Sequence, residues 1–208
     1  TVRVIPQRQS EMDIWVDAEI LRSDGENLEL LVKVQDSSGK NWYTKKYTDV
    51  ASKYSYDTSL PNRTEPFQAM YNQISNDILT YYRQLDANQI KTIRVITELK
   101  FAREFSTDAF GDHLGIDKKG RYFITRLPAD DDPILLRVRQ IRERDYMFVD
   151  TLQEYYASFV RQMEQPYLEW RRAYYEENKA LQEVKKQSRN RIIGGALAVL
   201  AGVLAQGV

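Results

Sequence analysis

The chain contains no cysteine and a single histidine, His113, among its 208 residues. Without cysteine, these residues can form no disulfide, no thiolate nucleophile and no cysteine-ligated metal site. Glycine-rich phosphate loops, HExxH, GxSxG and dinucleotide-binding fingerprints are also missing from the sequence. We therefore predict a protein that is not an enzyme and that holds no cofactor or metal ion.

Neither sign of charge is in excess, because lysine and arginine together number 30 and aspartate and glutamate together also number 30. Nucleic-acid-binding proteins carry a clear basic excess on the surface that faces the phosphates. The balance of charge in this chain predicts no nucleic-acid partner.

Long apolar runs are scarce, and the sharpest one lies at the carboxyl end, where residues 192–208 read IIGGALAVLAGVLAQGV. Small residues on one helix face let another backbone approach closely, and basic residues are common where a helix meets anionic headgroups. We therefore predict that this tail contacts membrane lipid and packs against copies of itself. The small residues are Gly194, Gly195, Ala198, Gly202 and Ala205. The basic residues just before the run are Lys185, Lys186, Arg189 and Arg191.

Alternation of apolar and polar residues predicts three antiparallel strands near the amino end, at residues 12–22, 28–34 and 42–47. Gly25 and Gly39 lie in the polar segments between them, which favours tight turns. Residues 2–5 are predicted as an additional edge strand. The polar, tyrosine-bearing segment 48–63 is predicted to be a long loop.

Helical spacing of apolar residues begins after Pro66 and continues to Tyr82, which predicts a helix that packs on the sheet. Further helices are predicted at residues 86–105 and 107–114, followed by a strand at 121–127. The sequence therefore indicates an α+β domain at residues 1–129, formed by a small antiparallel sheet and packed helices.

A long helical region is predicted at residues 130–191, with Asp130, Asp131 and Asp132 capping its start before Pro133. Spacings of three and four predict a bundle or coiled-coil seam. Pro166 is predicted to interrupt this region, because proline removes a helical hydrogen bond. An apolar, membrane-type helix is predicted to follow at 192–208. The predicted seam comprises Val138, Ile141, Phe148, Leu152, Tyr155 and Phe159.

An aromatic and basic band accompanies the long helices, around Tyr155, Tyr156, Trp170, Tyr174 and Tyr175. Such residues occur at membrane margins and partner surfaces, and equally in ordinary helix packing where arginine stems cover aromatic rings. The sequence leaves both interpretations open.

His113 lies between Asp112 and Asp117 in the segment FGDHLGIDKKG, where a carboxylate could orient it as a base. One histidine provides no recognisable catalytic triad, and aspartates beside glycine are common in turns. An envelope-polymer hydrolase that uses His113 is therefore kept only as an alternative to a non-enzymatic function.

The segment from 13 to 85 resembles bacterial envelope lipoproteins of the curli-secretion-channel and penicillin-binding-protein-activator type. The resemblance lies in a strand pair that ends in an Asp-x-x-Gly turn before a tryptophan-bearing strand, here Asp36, Gly39 and Trp42, and in the helix after Pro66. It implies a periplasmic or outer-membrane location, a lipid on an upstream cysteine, and ring assembly or partner binding without catalysis. Because Thr1 is not methionine, we expect a processed or trimmed chain.

Together these features predict a membrane-associated cell-envelope protein, on the periplasmic side of the outer membrane, that self-assembles into an oligomer. Its α+β domain is expected to act as a scaffold or to dock another envelope protein. An alternative is a pore-lining or plug component of an outer-membrane export complex, which the flat small-residue face of the tail would permit.

Overall fold

A computed structural model describes residues 2–5, 12–52, 54–57, 59 and 65–205, with the side chains of the last helix described as far as residue 192. The predicted α+β class is confirmed, with a small antiparallel sheet, packed helices and a long carboxy-terminal helix. The strands are β1 Ile14–Ser23, β2 Asn27–Asp36, β3 Asn41–Val50, β4 Leu114–Ile116 and β5 Tyr122–Ile124. The helices are α1 Gln68–Arg83, α2 Ala87–Phe105, α3 Thr107–Phe110 and α4 Pro133–Ala205.

The three long strands form an antiparallel meander in the order β1-β2-β3, as predicted. Coverage of the sheet by the described helices is uneven, because α1 packs against β3 and the middle of β1 stays exposed. Val16 pairs with Val34 and Ile20 pairs with Leu30, yet the side chains of Val16 and Ile20 are 49% and 66% exposed. The buried face of the sheet therefore comes mainly from β2 and β3. Its buried β2 residues are Leu28, Leu30, Val32 and Val34.

Asp36 organises the turn between β2 and β3. Its Oδ1 accepts the N–H of Ser38 at 3.0 Å, and its Oδ2 accepts the indole N–H of Trp42 at 2.9 Å. Gly39 has a φ of +87°, which side chains with a Cβ rarely adopt. The aspartate, the glycine and the tryptophan of the Asp-x-x-Gly segment thus form one hydrogen-bonded unit.

Residues 2–5 do not form the predicted edge strand. Val4 instead lies along α4, where its N–H and C=O both bond to the side-chain amide of Gln153, at 2.8 and 2.7 Å. Arg3 forms an ion pair with Asp150, at 2.7 Å. A side-chain amide thus supplies the donor and the acceptor that a neighbouring strand would have supplied, so the prediction of an additional strand is wrong.

Asp77 joins α1 to β3. The ammonium of Lys45 and the hydroxyl of Tyr47 donate to the same oxygen of Asp77, at 2.6 and 2.7 Å. These hydrogen bonds lower the pKa of Asp77, because they favour its ionised form. Burial and the same hydrogen bond raise the pKa of Tyr47.

A carboxyl group with a lowered pKa stabilises the fold above its unfolded pKa, and that contribution is lost as the pH falls through the folded value. We therefore expect Asp77→Asn to lose less unfolding free energy than the unchanged chain when the pH falls from about 5 to about 2. Urea unfolding at several pH values measures this loss. Asp108→Asn removes an exposed carboxylate from α3 and serves as the control. Equal pH profiles for Asp77→Asn and the unchanged chain would contradict the expectation.

α2 begins with a capping box, in which Asp86 accepts the N–H of Gln89 and the Gln89 side chain accepts the N–H of Asp86. The β-branched residues Ile93, Ile96 and Thr97 are nonetheless helical, because their burial outweighs their weak preference for strand. The helix predicted at 107–114 is an α-helix as far as Phe110 and continues as a 3-10 helix over Gly111–His113, after which the chain forms β4, which pairs with β5. β4 has only three residues, too few for alternation to reveal it.

α4 begins at Pro133 and runs for 73 residues, about 110 Å at 1.5 Å per residue. Asp132 caps it by accepting the N–H groups of Ile134 and Leu135, at 2.8 and 3.1 Å, which confirms the predicted cap. The helix continues through Pro166, so the predicted interruption is wrong. One missing hydrogen bond is offset by the many helical turns on both sides, because helix extension is cooperative.

Candidate assembly surface on the long helix

Besides its contacts with residues 2–5, α4 docks on the described part of the chain at two separate places. Near its start, Leu135, Val138 and Val149 are buried, with exposures of 1–3%. The first two pack against Ile96 and Phe101 of α2 in one apolar cluster. Farther along, α4 crosses the turn between β1 and β2. These two contacts decide which face of the helix points outward.

Gly25 is the point where α4 comes closest to the sheet. Its φ is +74°, and a Cβ built on it would clash with the backbone oxygen of Arg171 and lie 2.9 Å from the backbone nitrogen of Tyr175. Tyr56 donates its hydroxyl to the backbone oxygen of Gly25, at 2.5 Å. Burial raises the pKa of Tyr56 to about 12, so this donor stays protonated at neutral pH. Only glycine fits between this turn and the helix.

Arg171 secures the same contact electrostatically. Its guanidinium binds both oxygens of Glu65, at 2.6 and 2.9 Å, and lies 4.6 Å from the ring centroid of Tyr167. The arginine side chain is 3% exposed, whereas that of Glu65 is 31% exposed. Burial lowers the pKa of Arg171, because it disfavours the charged form. The hydrogen bonds and the negative charge of Glu65 raise it by more, so the pKa of Arg171 lies above its ordinary value. A buried cation thus depends on one partner that is partly in water.

The next turns of α4 bind the residues on either side of Gly25. Asn178 donates to the backbone oxygen of Asp24 at 2.6 Å, and Gln182 donates to Glu26 at 2.6 Å. Lys179 forms an ion pair with the other oxygen of Glu26. That ion pair raises the pKa of Lys179. Together with Gly25 and Arg171, these contacts fix the rotation of α4 about its own axis.

The remaining side of α4 carries large apolar side chains that the described part of the chain leaves in contact with solvent. Leu152, Tyr155, Tyr156 and Phe159 line an open groove of about 390 Å³ on this side. Such a surface is larger than scattered apolar residues require and is typical of an interaction site. We name it the outer face of α4. Its exposed members are Phe148, Tyr155, Phe159, Met163, Trp170, Tyr174, Leu181, Val184 and Ile192.

Three aromatic rings stand in a row near the middle of α4, and two of them, Trp170 and Tyr174, belong to the outer face. Tyr167 stacks on Trp170 with ring centroids 5.7 Å apart, and Trp170 contacts Tyr174 at 4.8 Å. Their side chains are 42–46% exposed. The aromatic band of the sequence is therefore divided, because Tyr175 packs inward and Trp170 and Tyr174 point outward.

The residues of the predicted seam lie along one side of α4 but differ in what covers them. Val138 is buried and Ile141 packs beside it, so both belong to the interior of the molecule. Phe148, Tyr155 and Phe159 are 59%, 70% and 60% exposed. The start of the predicted seam is therefore covered by α2, and only Leu152 and its exposed neighbours belong to the outer face.

The predicted membrane-flanking residues Lys185, Lys186, Arg189 and Arg191 are all exposed on α4. The helix backbone continues through the tail to Ala205, but side chains from residue 193 onward lie outside the described part. Within the described residues, no helix is long and apolar enough to cross a membrane. The predicted packing face in the tail therefore lies outside the described side chains: Gly194, Gly195, Ala198, Gly202 and Ala205.

His113 is 6% exposed and lies at the end of the short turn after α3. Its Nδ1 is 3.0 Å from the backbone oxygen of Arg126. Asp117 accepts the backbone N–H and the guanidinium of Arg121, at 2.9 and 2.8 Å, while Asp112 is exposed. The three side chains of the alternative hydrolase site thus have different surroundings, and the hydrogen bond to Arg126 accounts for the buried histidine.

Sequence reasoning missed the contacts that orient α4. The glycine turn was visible, but nothing near Gly25 in the sequence indicates that a helix about 150 residues later crosses it. Glu65 and Arg171 are likewise far apart in the chain. A buried arginine within an otherwise exposed helical stretch has no local signature, because long side chains of this kind usually reach water.

Comparison with protein-family models, with curated proteins and with solved structures finds no significant match to this chain.

Proposed function

We propose that this chain is a non-enzymatic, membrane-associated protein of the bacterial cell envelope that self-assembles through α4. The observation that carries this proposal is the outer face of α4, which leads along the helix to an exposed basic segment and an apolar tail. Surfaces of this size on a helix are used for association. The α+β domain then serves as a scaffold that holds α4 or docks a partner.

Membrane contact is proposed from the order of residues along α4. Lys185, Lys186, Arg189 and Arg191 stand exposed directly before residues 192–208. Each cation near an anionic surface contributes about 1 kcal/mol of attraction. The tail extends for about 25 Å at 1.5 Å per residue, against a hydrocarbon thickness of about 30 Å. Partial insertion beside other copies suits this length.

The envelope location is proposed from the resemblance of the β2–β3 segment to envelope lipoproteins. Its three key residues act together in the fold, since Asp36 binds Trp42 across the turn at Gly39. This unit supports the sheet and leaves α4 free to carry the assembly surface. A protein of this type would lie on the periplasmic side of the outer membrane.

Vesicle flotation tests the membrane part of the proposal. The full chain should float with vesicles that contain anionic phospholipid, and changing Lys185, Lys186, Arg189 and Arg191 together to glutamine should weaken binding by about tenfold or more. The control changes Lys33, Lys91, Lys118 and Lys119 to glutamine, since these are also exposed and remove the same charge.

The control variant should float like the unchanged chain. Equal weakening by both sets would mean that net charge alone governs binding. Absence of flotation by the unchanged chain would overturn the membrane assignment.

A further inference from the structure

Large apolar residues recur on the outer face of α4 at intervals of eleven. Phe148, Phe159, Trp170, Leu181 and Ile192 are spaced by eleven residues each. Their side chains are 42–70% exposed. A second series lies four residues later and includes Leu152, Met163 and Tyr174. The two series run side by side along the helix.

An eleven-residue repeat completes three helical turns, at about 3.67 residues per turn, and keeps its members on one side of a nearly straight helix. A seven-residue repeat does not describe the same surface. Starting from Phe148, it would continue with Tyr155 and Gln162 and then with three glutamates, Glu169, Glu176 and Glu183. The period of the outer face is therefore eleven.

We propose that the partner on this face is the α4 helix of a second copy of this chain, parallel and in register. A partner must share the eleven-residue period to stay in contact from Phe148 to Ile192, about 66 Å. α4 itself has that period. The parallel orientation rests on the proposed function, because it brings both tails to the same membrane.

The area of the outer face matches the requirement of a stable dimer. A fully exposed aromatic residue offers about 150–250 Å². Taking about 180 Å² for each of its nine large apolar residues, which are exposed at 42–70%, the face offers about 900 Å² per copy. Stable interfaces bury about 800 Å² per partner. Pairing along this repeat also predicts a slight right-handed supercoil.

Disulfide trapping tests the pairing, and the chain has no cysteine that would interfere. Met163→Cys places a thiol on the outer face, whereas Arg161→Cys places one about 200° away around the helix, on an exposed position. With copper-phenanthroline as the oxidant, two thiols lose two electrons and two protons to form the disulfide. Met163→Cys should give at least about fivefold more covalent dimer than Arg161→Cys, since only the former faces its own copy.

Orientation is tested by mixing equal amounts of Phe148→Cys and Ile192→Cys chains of distinguishable mass. A parallel pair gives the two homodimers, and a predominant mixed dimer would overturn the parallel register. Equal trapping of Met163→Cys and Arg161→Cys would overturn the pairing itself. Circular dichroism of each variant shows that it is folded.

Flotation and trapping separate this inference from the proposed function. A chain that floats but is not trapped at residue 163 would retain the membrane assignment and lose the helix pairing. A chain that is trapped but does not float would retain the pairing and lose the membrane assignment.

Discussion

Replacing Gly25 with alanine is expected to lower the free energy of unfolding by about 3 kcal/mol, the sum of a left-handed backbone and an overpacked contact. The φ of Gly25 is +74°. The added methyl group would also meet the backbone of α4 at Arg171 and Tyr175. Neither backbone atom can move without shifting the helix, so α4 should separate from the β1–β2 turn.

Gly120→Ala is the matched control, because Gly120 has a φ of +75° and open space where its Cβ would lie. It should lose only about 1 kcal/mol, the backbone part alone. Urea unfolding of Gly25→Ala, Gly120→Ala and the unchanged chain gives the difference that packing contributes. Equal losses in both variants would show that α4 does not rest on this turn.

Undocking should also alter the assembly surface. Asn178, Lys179 and Gln182 bind the residues beside Gly25 and keep the outer face pointing away from the sheet. If α4 rotates or frays there, Trp170 and Leu181 lose their fixed direction. The fold of the amino-terminal sheet thus supports the alignment of the eleven-residue repeat.

The sequence predicted a strand or helix correctly where residues close together in the chain determine it. Alternation predicted β2, and Asp86 with Gln89 formed a cap at the start of the helix predicted from residue 86. Asp132 likewise capped α4 next to Pro133. In each case, the signal and the contact lie within a few residues of each other.

Predictions failed where a contact between distant residues decides the outcome. Residues 2–5 read as a strand, but Gln153 on α4 takes the place of a neighbouring strand. Val16 and Ile20 lie on the apolar face of the strand predicted at 12–22, but no described helix covers them. Alternation shows which side chains share a face, and it cannot show what lies over that face.

The candidate surface was predicted only in part, for a related reason. Spacings of three and four show that residues share one side of a helix, but they do not show that α2 covers Val138 and Ile141 and leaves Phe148 and Phe159 exposed. The side of α4 that packs against the rest of the chain is known only from the structure, in which Val138, Val149 and Arg171 are buried. The residues that remain exposed, Phe148, Phe159, Trp170, Leu181 and Ile192, then show the eleven-residue series.

The ion pair between Glu65 and Arg171 gives the second large expected effect. Glu65→Gln should lower the free energy of unfolding by about 3 kcal/mol, because it leaves a buried guanidinium without a countercharge. Arg171 is 3% exposed and cannot turn to water without leaving its place beside Tyr167. Urea unfolding measures the loss.

The control is the pair Arg172–Glu176, whose side chains are 48% and 62% exposed and which lies on the same helix. Glu176→Gln should change the unfolding free energy by less than about 0.5 kcal/mol, since exposed pairs are screened by water. A loss as large as that of Glu65→Gln would show that burial does not distinguish the two pairs.

The double variant Glu65→Gln with Arg171→Met isolates the interaction. If the loss in Glu65→Gln comes from the unpaired charge, removing that charge should recover part of it, and the double variant should lose about 2 kcal/mol less than the sum of the two single losses. Additive losses would instead mean that Glu65 stabilises the chain through other contacts. Because methionine keeps much of the apolar stem of Arg171 over Phe67 and Tyr167, the cycle tests the charge pair separately from the packing that holds α4 on the sheet.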